Sequence, residues 1–283
     1  MIELRPVQCD PSALARYSAL FAICFSPQPK FGAEALHWLY ADNPDGQVVG
    51  YDAFDGDQLA AHYVCVPARV IVNGVIERGL LSLNTATHPR WQGKGLFTRL
   101  AARTYETAAA AGFGSVYGVA NANSTPGFVR KLGFQLVAPL RAMVGVGRLG
   151  LDPQSSVAEA GFSRAWSPDA LRWRCANPVN QVSMRCGNDG IRRFFAGGPA
   201  PLVPAYAELP AGDGPATSAP PAALARLFLG LAPVGSGGLS SYAEIPRRLR
   251  PSPLNLIFKD LGGRNRELDA NRVFFSFLDF DAY

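Results

Sequence analysis

The sequence has 283 residues, of which 48% are hydrophobic, and a formal net charge of +5. A chain of this length and hydrophobic content can bury a sizeable core, so one large globular domain or two ordinary ones are expected. The basic residues are scattered, with no run of five or more like charges. This pattern argues against a nucleic-acid tail, whereas a modest basic excess suits an anionic, phosphate-bearing ligand.

The first half of the chain begins with helices, continues with strands and then alternates strand and helix. Asp10-Pro11 is a helix-start signal, and apolar residues then recur at helical spacing. The predicted elements are helices over about 11–24 and from 32 to Asn43-Pro44, strands over 47–54, 58–72 and 79–87, a helix over about 95–111, a strand over 115–120 and a short helix around 125–132. This order predicts an α+β (mixed α/β) domain of about 150 residues.

The second half is less regular. Residues 197–223 are rich in Pro, Ala and Gly, which predicts a long loop. A helix is predicted over 223–231, and strands over 254–261 and 272–280. No glycine-rich turn comparable to residues 90–95 occurs there, so the second half is not expected to bind a copy of the ligand that this turn holds.

The two halves contain a similar segment. The residues from Ala35 through Trp38 to Asn43-Pro44 resemble those from Ala170 through Trp173 to Asn177-Pro178, with one residue deleted, and an Asp-Gly turn follows in both. The two tryptophans are 135 residues apart, a domain-sized spacing rather than that of a solenoid repeat. A duplication is favoured over chance matching, and the second copy would then have the same topology.

The five cysteines and the N-terminus bear on the compartment. The cysteine number is odd and no Cys-x-x-Cys pair occurs, so reduced thiols are expected. With three histidines in the chain, no metal centre is predicted. The N-terminus lacks a cationic stretch followed by an apolar one, and no uncharged apolar run reaches 18 residues. The sequence therefore predicts a cytoplasmic protein that does not act at a membrane.

The segment HPRWQGKGLFTRL, residues 88–100, is a glycine-containing turn between a predicted strand and a predicted helix. Unpaired backbone N–H groups and the helix dipole make such a turn a ready phosphate site. It is not a Walker A loop, because Lys94 is followed by Gly95 rather than by Ser or Thr, and it lacks the third glycine of a dinucleotide fingerprint. Neither His-Glu-x-x-His nor Gly-x-Ser-x-Gly occurs in the chain.

A different pattern does fit. Arg90-x-x-Gly93-x-Gly95 follows an apolar strand, and Asn123 and the run Lys131-Leu-Gly-Phe134 come later at suitable distances. Together these residues resemble the acyl-CoA-binding core of the GCN5-related N-acetyltransferase (GNAT) superfamily over about residues 1–140. The order of the first helix, the Trp-x-x-x-x-Asn-Pro segment, the strands and the glycine motif also resembles a bacterial branch of this superfamily. In that branch a second, degenerate GNAT-like domain follows the first. The resemblance implies an acyl-CoA-binding domain over 1–150 and a degenerate copy over 151–283.

The resemblance also implies acetyl-CoA or another acyl-CoA as cosubstrate and a set of residues that hold it. Gln92 to Gly95, with Leu96, would cradle the pyrophosphate of coenzyme A, while Thr85 and Thr87 would pair with the pantetheine arm. The expected cofactor-binding residues are Thr85, Thr87, Arg90, Gln92, Gly93, Lys94, Gly95, Leu96 and Asn123.

The resemblance is incomplete at the catalytic acid. Where the family usually has a tyrosine that protonates the leaving thiolate, this chain has Val129. Ser124, a nearby tyrosine such as Tyr117, or water would have to replace it, unless the domain binds acyl-CoA without turnover. Coenzyme A is a tolerable leaving group, because a thiol titrates near pKa 8 to 9.

Asn84 and His88 are the candidates for the general base, and Ser124 is a candidate for the acid. A histidine before proline is more often a cap or surface residue than a catalyst. The favoured function is N-acyl transfer from acyl-CoA to a small-molecule primary amine, for which an amino sugar is one option. The alternatives are a non-catalytic acyl-CoA-binding or scaffold protein, and an aminoacyl or peptide transferase, which would need a basic groove that the dispersed charges do not support. Neither a nucleic-acid nor a membrane partner is expected, and a homodimer is left open.

Overall fold

The computed structural model describes residues 1–250 and 252–281. These residues form two compact units. The first comprises Met1–Ala68, Arg78–Leu136 and Ile257–Glu267, and the second comprises Arg69–Glu77, Val137–Leu256 and the chain from Leu268 on. Both units therefore combine segments that are distant in sequence. This division differs from a single cut near residue 150, and the domains 1–150 and 151–283 stay a prediction.

The helices and strands follow one another along the chain without long interruptions in the first half. In chain order they are β1 (Ile2–Pro6), α1 (Pro11–Cys24), α2 (Ala33–Tyr40), β2 (Val49–Asp55), β3 (Gln58–Val72), β4 (Val75–Thr87), α3 (Leu96–Ala110), β5 (Ser115–Ala120), β6 (Gln135–Pro139), β7 (Arg141–Gly145), α4 (Pro153–Glu159), β8 (Phe162–Arg164), α5 (Pro168–Cys175), β9 (Ser183–Cys186), β10 (Arg192–Ala200), β11 (Val203–Leu209), β12 (Arg226–Gly230), β13 (Tyr242–Glu244) and β14 (Asn255–Asp260).

The first unit is built on a mixed sheet in the order β1-β2-β3-β4-β5-β14-β6. β2 pairs antiparallel with β1 and β3, whereas β4 and β5 are parallel, with Leu80 opposite Val116. A parallel pair needs a crossover, which α3 supplies. Leu100 of α3 is fully buried in the same core as Leu80 and Val116. The predicted α+β, mixed α/β class is confirmed.

Local sequence explains where the first elements begin and turn. The Asp10 carboxylate accepts the backbone N–H groups of Ser12 and Ala13, at 2.9 and 3.1 Å, and so caps α1 at the predicted position. β3 and β4 are joined by Asn73 and Gly74, both with positive φ. Two such residues make the tight turn that matches the twist of a hairpin.

A cluster of buried hydroxyl and thiol groups lies inside the first unit. The Tyr63 hydroxyl lies 2.7 Å from Ser82 Oγ and 2.5 Å from the Tyr105 hydroxyl, and the Cys65 thiol donates to it at 3.4 Å. Burial raises the pKa of both tyrosines well above the usual value and the pKa of Cys65 to about 12. All three groups therefore stay protonated at neutral pH.

The second unit contains a sheet in the order β13-β7-β12-β11-β10-β9. Helix α5 is followed by β9, β10 and β11, which pair antiparallel, and then by β12, which is parallel to β11. The first unit has the same order of helix, three strands and a parallel strand, from α2 to β5. The difference is the crossover, because residues 210–225 form no helix where the first unit has α3.

The repeated Asn-Pro segments also have similar local structure. The side-chain oxygens of Asn43 and Asn177 accept the N–H groups of Asp45 and Val179, each two residues further on. Both asparagines are buried just after a helix, at 4% and 6% exposure. This shared turn and the shared strand order support the predicted duplication, which stays a prediction.

Three predicted elements of the second half are wrong. The helix over 223–231 is strand β12, because the run Arg226–Gly230 pairs with β7 and β11. The strand over 272–280 is two 3₁₀ turns with isolated bridges, because the Asp279 carboxylate caps a turn at Ser276. The loop over 197–223 contains the end of β10 and all of β11. Short apolar runs suit a helix or a strand equally, so tertiary pairing decided these segments.

No helix among the described residues could span a membrane. The longest is α3, with 15 residues, and five of these are Arg, Glu or Thr on its exposed or half-buried surface.

A substitution in strand β14 tests whether residues beyond 150 contribute to the core of the first unit. Ile257 is 1% exposed within the core of the first unit. We expect Ile257→Ala to lower the free energy of unfolding by about 2 to 5 kcal/mol, because the substitution leaves a cavity. Leu136→Ala is the control, since Leu136 is 47% exposed and should change little. Urea unfolding of both variants measures this, and equal small effects would mean that β14 contributes little to this core.

The buried thiol predicts a loss of stability at alkaline pH. The pKa of Cys65 is raised to about 12 in the folded chain, against about 8.5 in an unfolded one. The folded state then holds a proton that the unfolded state releases, so this contribution is complete below about pH 8.5 and falls as the pH rises towards 12. Cys65→Ala should reduce the slope of unfolding free energy against pH between 9 and 11 by about 1 kcal/mol per pH unit. Cys186→Ala, at an exposed thiol, should leave the slope unchanged, and an unaltered slope in Cys65→Ala would contradict the prediction.

Candidate functional site

The turn between β4 and α3 depends on two glycines. The chain leaves β4 at Thr87, makes one 3₁₀ turn over Pro89–Trp91 and enters α3 at Leu96. Gly93 and Gly95 have φ values of 75° and 71°. This left-handed conformation costs about 1 to 2 kcal/mol for a residue with a side chain. The turn therefore favours glycine at both positions.

Backbone N–H groups at this turn are left open. Six successive N–H groups, those of residues 93–98, have no acceptor among the residues that the structure describes. A Cβ added at Gly93 or at Gly95 would meet no atom within 4 Å. Open amides and the partial positive charge of a helix N-terminus together attract an anion. The turn thus has the shape and the donors for a phosphate or pyrophosphate group.

Side chains hold the turn from both ends and add charge. The Trp91 indole N–H donates to Asp55 Oδ2 at 3.1 Å, and the Gln92 side-chain N–H donates to the Thr87 carbonyl at 3.2 Å. The bond from Trp91, then the N-terminal amino group and Lys94, lower the pKa of Asp55. Arg90 and Lys94 are exposed, so both cations are available to a ligand at the turn.

Strands β4 and β5 part just before the turn. Their paired residues run from Gly79–Ser115 to Ser82–Gly118. β4 continues for five residues beyond this point, and Asn84 within that extension has a φ of 47°. A left-handed residue inside a strand interrupts the regular ladder. Thr85 and Thr87, the predicted partners of an extended ligand arm, lie on this part of β4.

A chain of buried polar side chains leads to Asn84. We name it the Asp52 chain, and its members are Tyr17, Asp52, His62, Tyr40 and Asn84. At one end, the Tyr17 hydroxyl donates to Asp52 Oδ2 at 2.8 Å, and Asp52 Oδ1 lies 2.6 Å from His62 Nδ1. At the other end, His62 Nε2 lies 2.9 Å from the Tyr40 hydroxyl, and the Asn84 side-chain N–H donates to that hydroxyl at 3.1 Å. Every member except Asn84 is at most 2% exposed.

The bonds of the Asp52 chain fix where its protons lie. Because the Tyr40 hydroxyl accepts from Asn84, its own proton is directed to His62 Nε2. His62 then carries its proton on Nδ1 and donates it to Asp52. Burial, followed by the Asp52 charge, raises the pKa of Tyr17 well above its usual value. The hydrogen bonds of the chain thus satisfy its donors, which keeps one orientation of Asn84.

The sequence did not reveal the Asp52 chain. His62 is fully buried. A bulge between Ala53 and Phe54 shifts the β2–β3 register and brings Asp52 opposite His62. A hairpin counted from the Asp55–Gln58 turn without that bulge pairs Asp52 with Ala61 instead, so no pattern in the sequence pointed to the pair.

Two predicted catalytic residues make local contacts. His88 Nδ1 accepts the Arg90 backbone N–H at 3.2 Å, and its ring meets Trp91 edge to face. His88 therefore caps the 3₁₀ turn, with Nε2 as its remaining nitrogen. The Ser124 hydroxyl lies 3.1 Å from Asn121 Oδ1, and its oxygen accepts the Asn121 N–H at 3.1 Å. Both residues have structural roles, and their predicted catalytic roles are not tested by these contacts.

The remaining predicted residues lie around the same turn or on the loop after β5. Asn123 is exposed, and Val129 is half-buried within a π-helical turn at Gly127–Lys131. Tyr117, an alternative acid, is fully buried on β5. In the described part of the chain, no three His, Cys, Asp or Glu side chains are grouped so that they could hold a metal ion.

A family model matches the first half of the chain, and known structures share its fold. Residues 5–137 match the model of the acetyltransferase (GNAT) domain family, whereas no curated protein sequence matches the chain. One similar crystal structure is a conserved protein of unknown function from Enterococcus faecalis V583, a probable N-acyltransferase, with 10% identity, coverage of 93% of this chain and 73% of that chain, and a TM-score of 0.60. A second is a GCN5-related N-acetyltransferase from Anabaena variabilis ATCC 29413, with 8% identity, coverage of 92% and 73%, and a TM-score of 0.61. A third is Eis1 from Mycobacterium abscessus, with 13% identity, coverage of 90% and 73%, and a TM-score of 0.54.

At these identities the structures show a shared fold, and the family match adds the domain type. The similarity covers 90% or more of this chain in all three. The predicted resemblance to the GNAT superfamily is confirmed. Residues 5–137 thus match a GNAT acetyltransferase domain, a family whose members use acetyl-CoA as acyl donor.

Proposed function

We propose that the chain transfers an acetyl group from acetyl-CoA to the primary amine of a small molecule, with amino sugars as the first class to test. The observation that carries the proposal is the run of open amides at residues 93–98, next to two left-handed glycines. A structural turn gains nothing from leaving six N–H groups without acceptors, whereas a pyrophosphate supplies acceptors to several of them at once.

The proposed cofactor site follows the open part of the first unit. The open amides from Gly93 to Leu96 hold the pyrophosphate, with Gly93 and Gly95 admitting it and Arg90 and Lys94 adding charge. The N–H of Gln92, which was also predicted to take part, donates to the Pro89 carbonyl at 3.3 Å. Thr85, Thr87 and Asn123 contact the pantetheine arm, where β4 has left β5. In support, the cradle has room at both glycines and the strand pairing ends at Ser82.

The proposed catalytic groups lie on the same strand. Acetyl-CoA supplies the activated acyl group. His88 is the candidate base. Because its Nδ1 accepts the Arg90 N–H, a neutral His88 carries its proton on Nε2. To take a proton from an ammonium group, His88 has to release this bond and receive the proton on Nδ1. Asn84, held by the Asp52 chain, orients the reacting groups. Ser124 is the candidate to protonate the leaving thiolate in place of the tyrosine that Val129 replaces, and a weak acid suffices for such a leaving group.

Residues 151–283 are proposed to be a degenerate copy of the domain over residues 1–150. The shared order of helix, three strands and parallel strand supports the copy, and the absence of a helix from residues 210–225 explains why it lacks a second cradle. The cytoplasmic location and the option of a homodimer stay predictions.

A charge at Gly93 tests the cradle. We expect Gly93→Glu to weaken desulfo-CoA binding by about 100-fold or more, since losing two hydrogen bonds to a charged group costs about 3 kcal/mol or more. Gly112→Glu is the matched control, because Gly112 is also left-handed, has the same free space and lies at the other end of α3. Isothermal titration measures both. Equal affinities of the two variants, or no binding by the wild type, would overturn the proposed cofactor site.

An amine screen then distinguishes an enzyme from a non-catalytic acyl-CoA-binding protein. The second alternative is favoured by the valine at position 129. We expect free thiol to appear from acetyl-CoA with at least one amino sugar at a rate that depends on amine concentration. Binding of desulfo-CoA with intact thioester after long incubation across sugars, polyamines and amino acids would instead support the scaffold alternative.

The Asp52 chain predicts an effect on turnover. Tyr40→Phe leaves the Asn84 N–H without its acceptor and His62 Nε2 without its donor, so we expect a loss of about 1 to 3 kcal/mol in unfolding free energy. Because Asn84 is then no longer oriented, kcat should fall about tenfold while KM for acetyl-CoA stays within about twofold. Tyr51→Phe is the control, since it removes a hydroxyl bonded to Thr107 and outside the chain. Equal kcat values for the two variants would contradict the positioning role.

A further inference from the structure

The second unit contains a cavity lined with arginines that the acetyl-transfer reaction does not use. Its volume is about 640 Å³, and all of its lining residues belong to the second unit. Arg148, Arg185, Arg193 and Arg226 line it together with one carboxylate, Asp189. The lining residues thus carry a formal charge of +3. Such a field in a concave site raises the local concentration of anions.

The arrangement of two of these arginines is unfavourable without a counter-charge. Arg185 on β9 lies directly opposite Arg193 on β10 in the antiparallel register, so both side chains leave the same face of the sheet. Like charges at directly opposed positions destabilise a sheet. Arg193 is compensated by Asp189 at 2.6 Å, but no ion pair of Arg185 is found among the described residues.

The other arginines are held in place for binding. Asp189 Oδ2 accepts from both Arg193 and Arg148, at 2.6 and 3.0 Å. The Arg226 guanidinium lies over the Tyr206 ring, 4.5 Å from its centroid, and donates to the Gly147 carbonyl. Side chains that are fixed before binding lose less entropy when a ligand arrives. Planar guanidinium groups fixed in this way match the oxygens of a phosphate group.

We propose that this cavity is a second binding site, which takes a small molecule bearing a phosphate group. A phosphate dianion offsets most of the +3 charge and bridges Arg185 and Arg193, which removes their repulsion. The cavity has room for a phosphate ester the size of a sugar phosphate as well as for free phosphate. The inference does not rest on the acetyl-transfer function, because its residues and those of the β4–α3 turn share no segment.

The binding experiment uses the Gly93→Glu chain, so that the β4–α3 turn of the first unit does not contribute to phosphate binding. In the Gly93→Glu chain, we expect saturable binding of inorganic phosphate or glucose 6-phosphate by isothermal titration, and none of glucose. Adding Arg185→Ala should weaken it by about tenfold to a hundredfold, as for a lost hydrogen bond to a charged group. Arg248→Ala is the matched control, since Arg248 is exposed and outside the cavity. Binding of glucose 6-phosphate but not of free phosphate would identify an ester as the ligand, and the reverse result would identify phosphate itself.

Two further readouts locate the ligand. Cys186 is exposed and lines the cavity, so a bound phosphate should slow its alkylation by neutral iodoacetamide, and Arg185→Ala should abolish that protection. Phosphate should also raise the Tm of the Gly93→Glu chain but not that of the double variant Gly93→Glu, Arg185→Ala. Without phosphate, the double variant should be no less stable than the Gly93→Glu chain. No saturable binding, equal loss in Arg248→Ala, or no protection of Cys186 would overturn the proposal.

Discussion

The six backbone N–H groups of residues 93–98, which have no acceptor in the described part of the chain, are the feature on which the proposed chemistry of the first unit depends. They exist because Gly93 and Gly95 turn the chain through left-handed conformations and α3 begins without a side-chain cap. A residue that capped the helix would have made the turn more stable by itself and less useful to a phosphate. The sheet, the Trp91–Asp55 bond and the bond from Gln92 to Thr87 hold this turn in place, so the amides stay open instead of collapsing onto the protein.

The interior of the same unit carries the second constraint. A carboxylate and an imidazole, Asp52 and His62, lie at 2% and 0% exposure, which is costly unless every hydrogen bond is made. Two tyrosines complete those bonds, and the last partner is Asn84, the left-handed residue of β4. The buried chain and the strand irregularity are therefore coupled, because the position of one limits the position of the other.

The second unit reuses the order of elements but not the chemistry. Its crossover between β11 and β12 has no helix among residues 210–225, so it has no helix N-terminus where an anion could bind. Anion binding there is argued instead from side chains, namely the opposed arginines at 185 and 193 on one sheet face. Backbone amides in one unit and guanidinium groups in the other are two separate physical routes to a phosphate site.

The sequence by itself determined α1, α2, α3 and the strands β2 to β5, the α+β class and the position of the glycine turn between β4 and α3. These features depend on local signals, such as Asp10-Pro11, long alternating strands and the glycines at 93 and 95. Tertiary structure alone decided the segments 226–230 and 272–280, whose short apolar runs take the form that their neighbours impose. It also decided that β14 joins the first unit and that a bulge pairs Asp52 with His62. The physical reason is that β14 pairs with strands distant in sequence, and that the bulge adds a residue which a register counted from the hairpin turn does not anticipate.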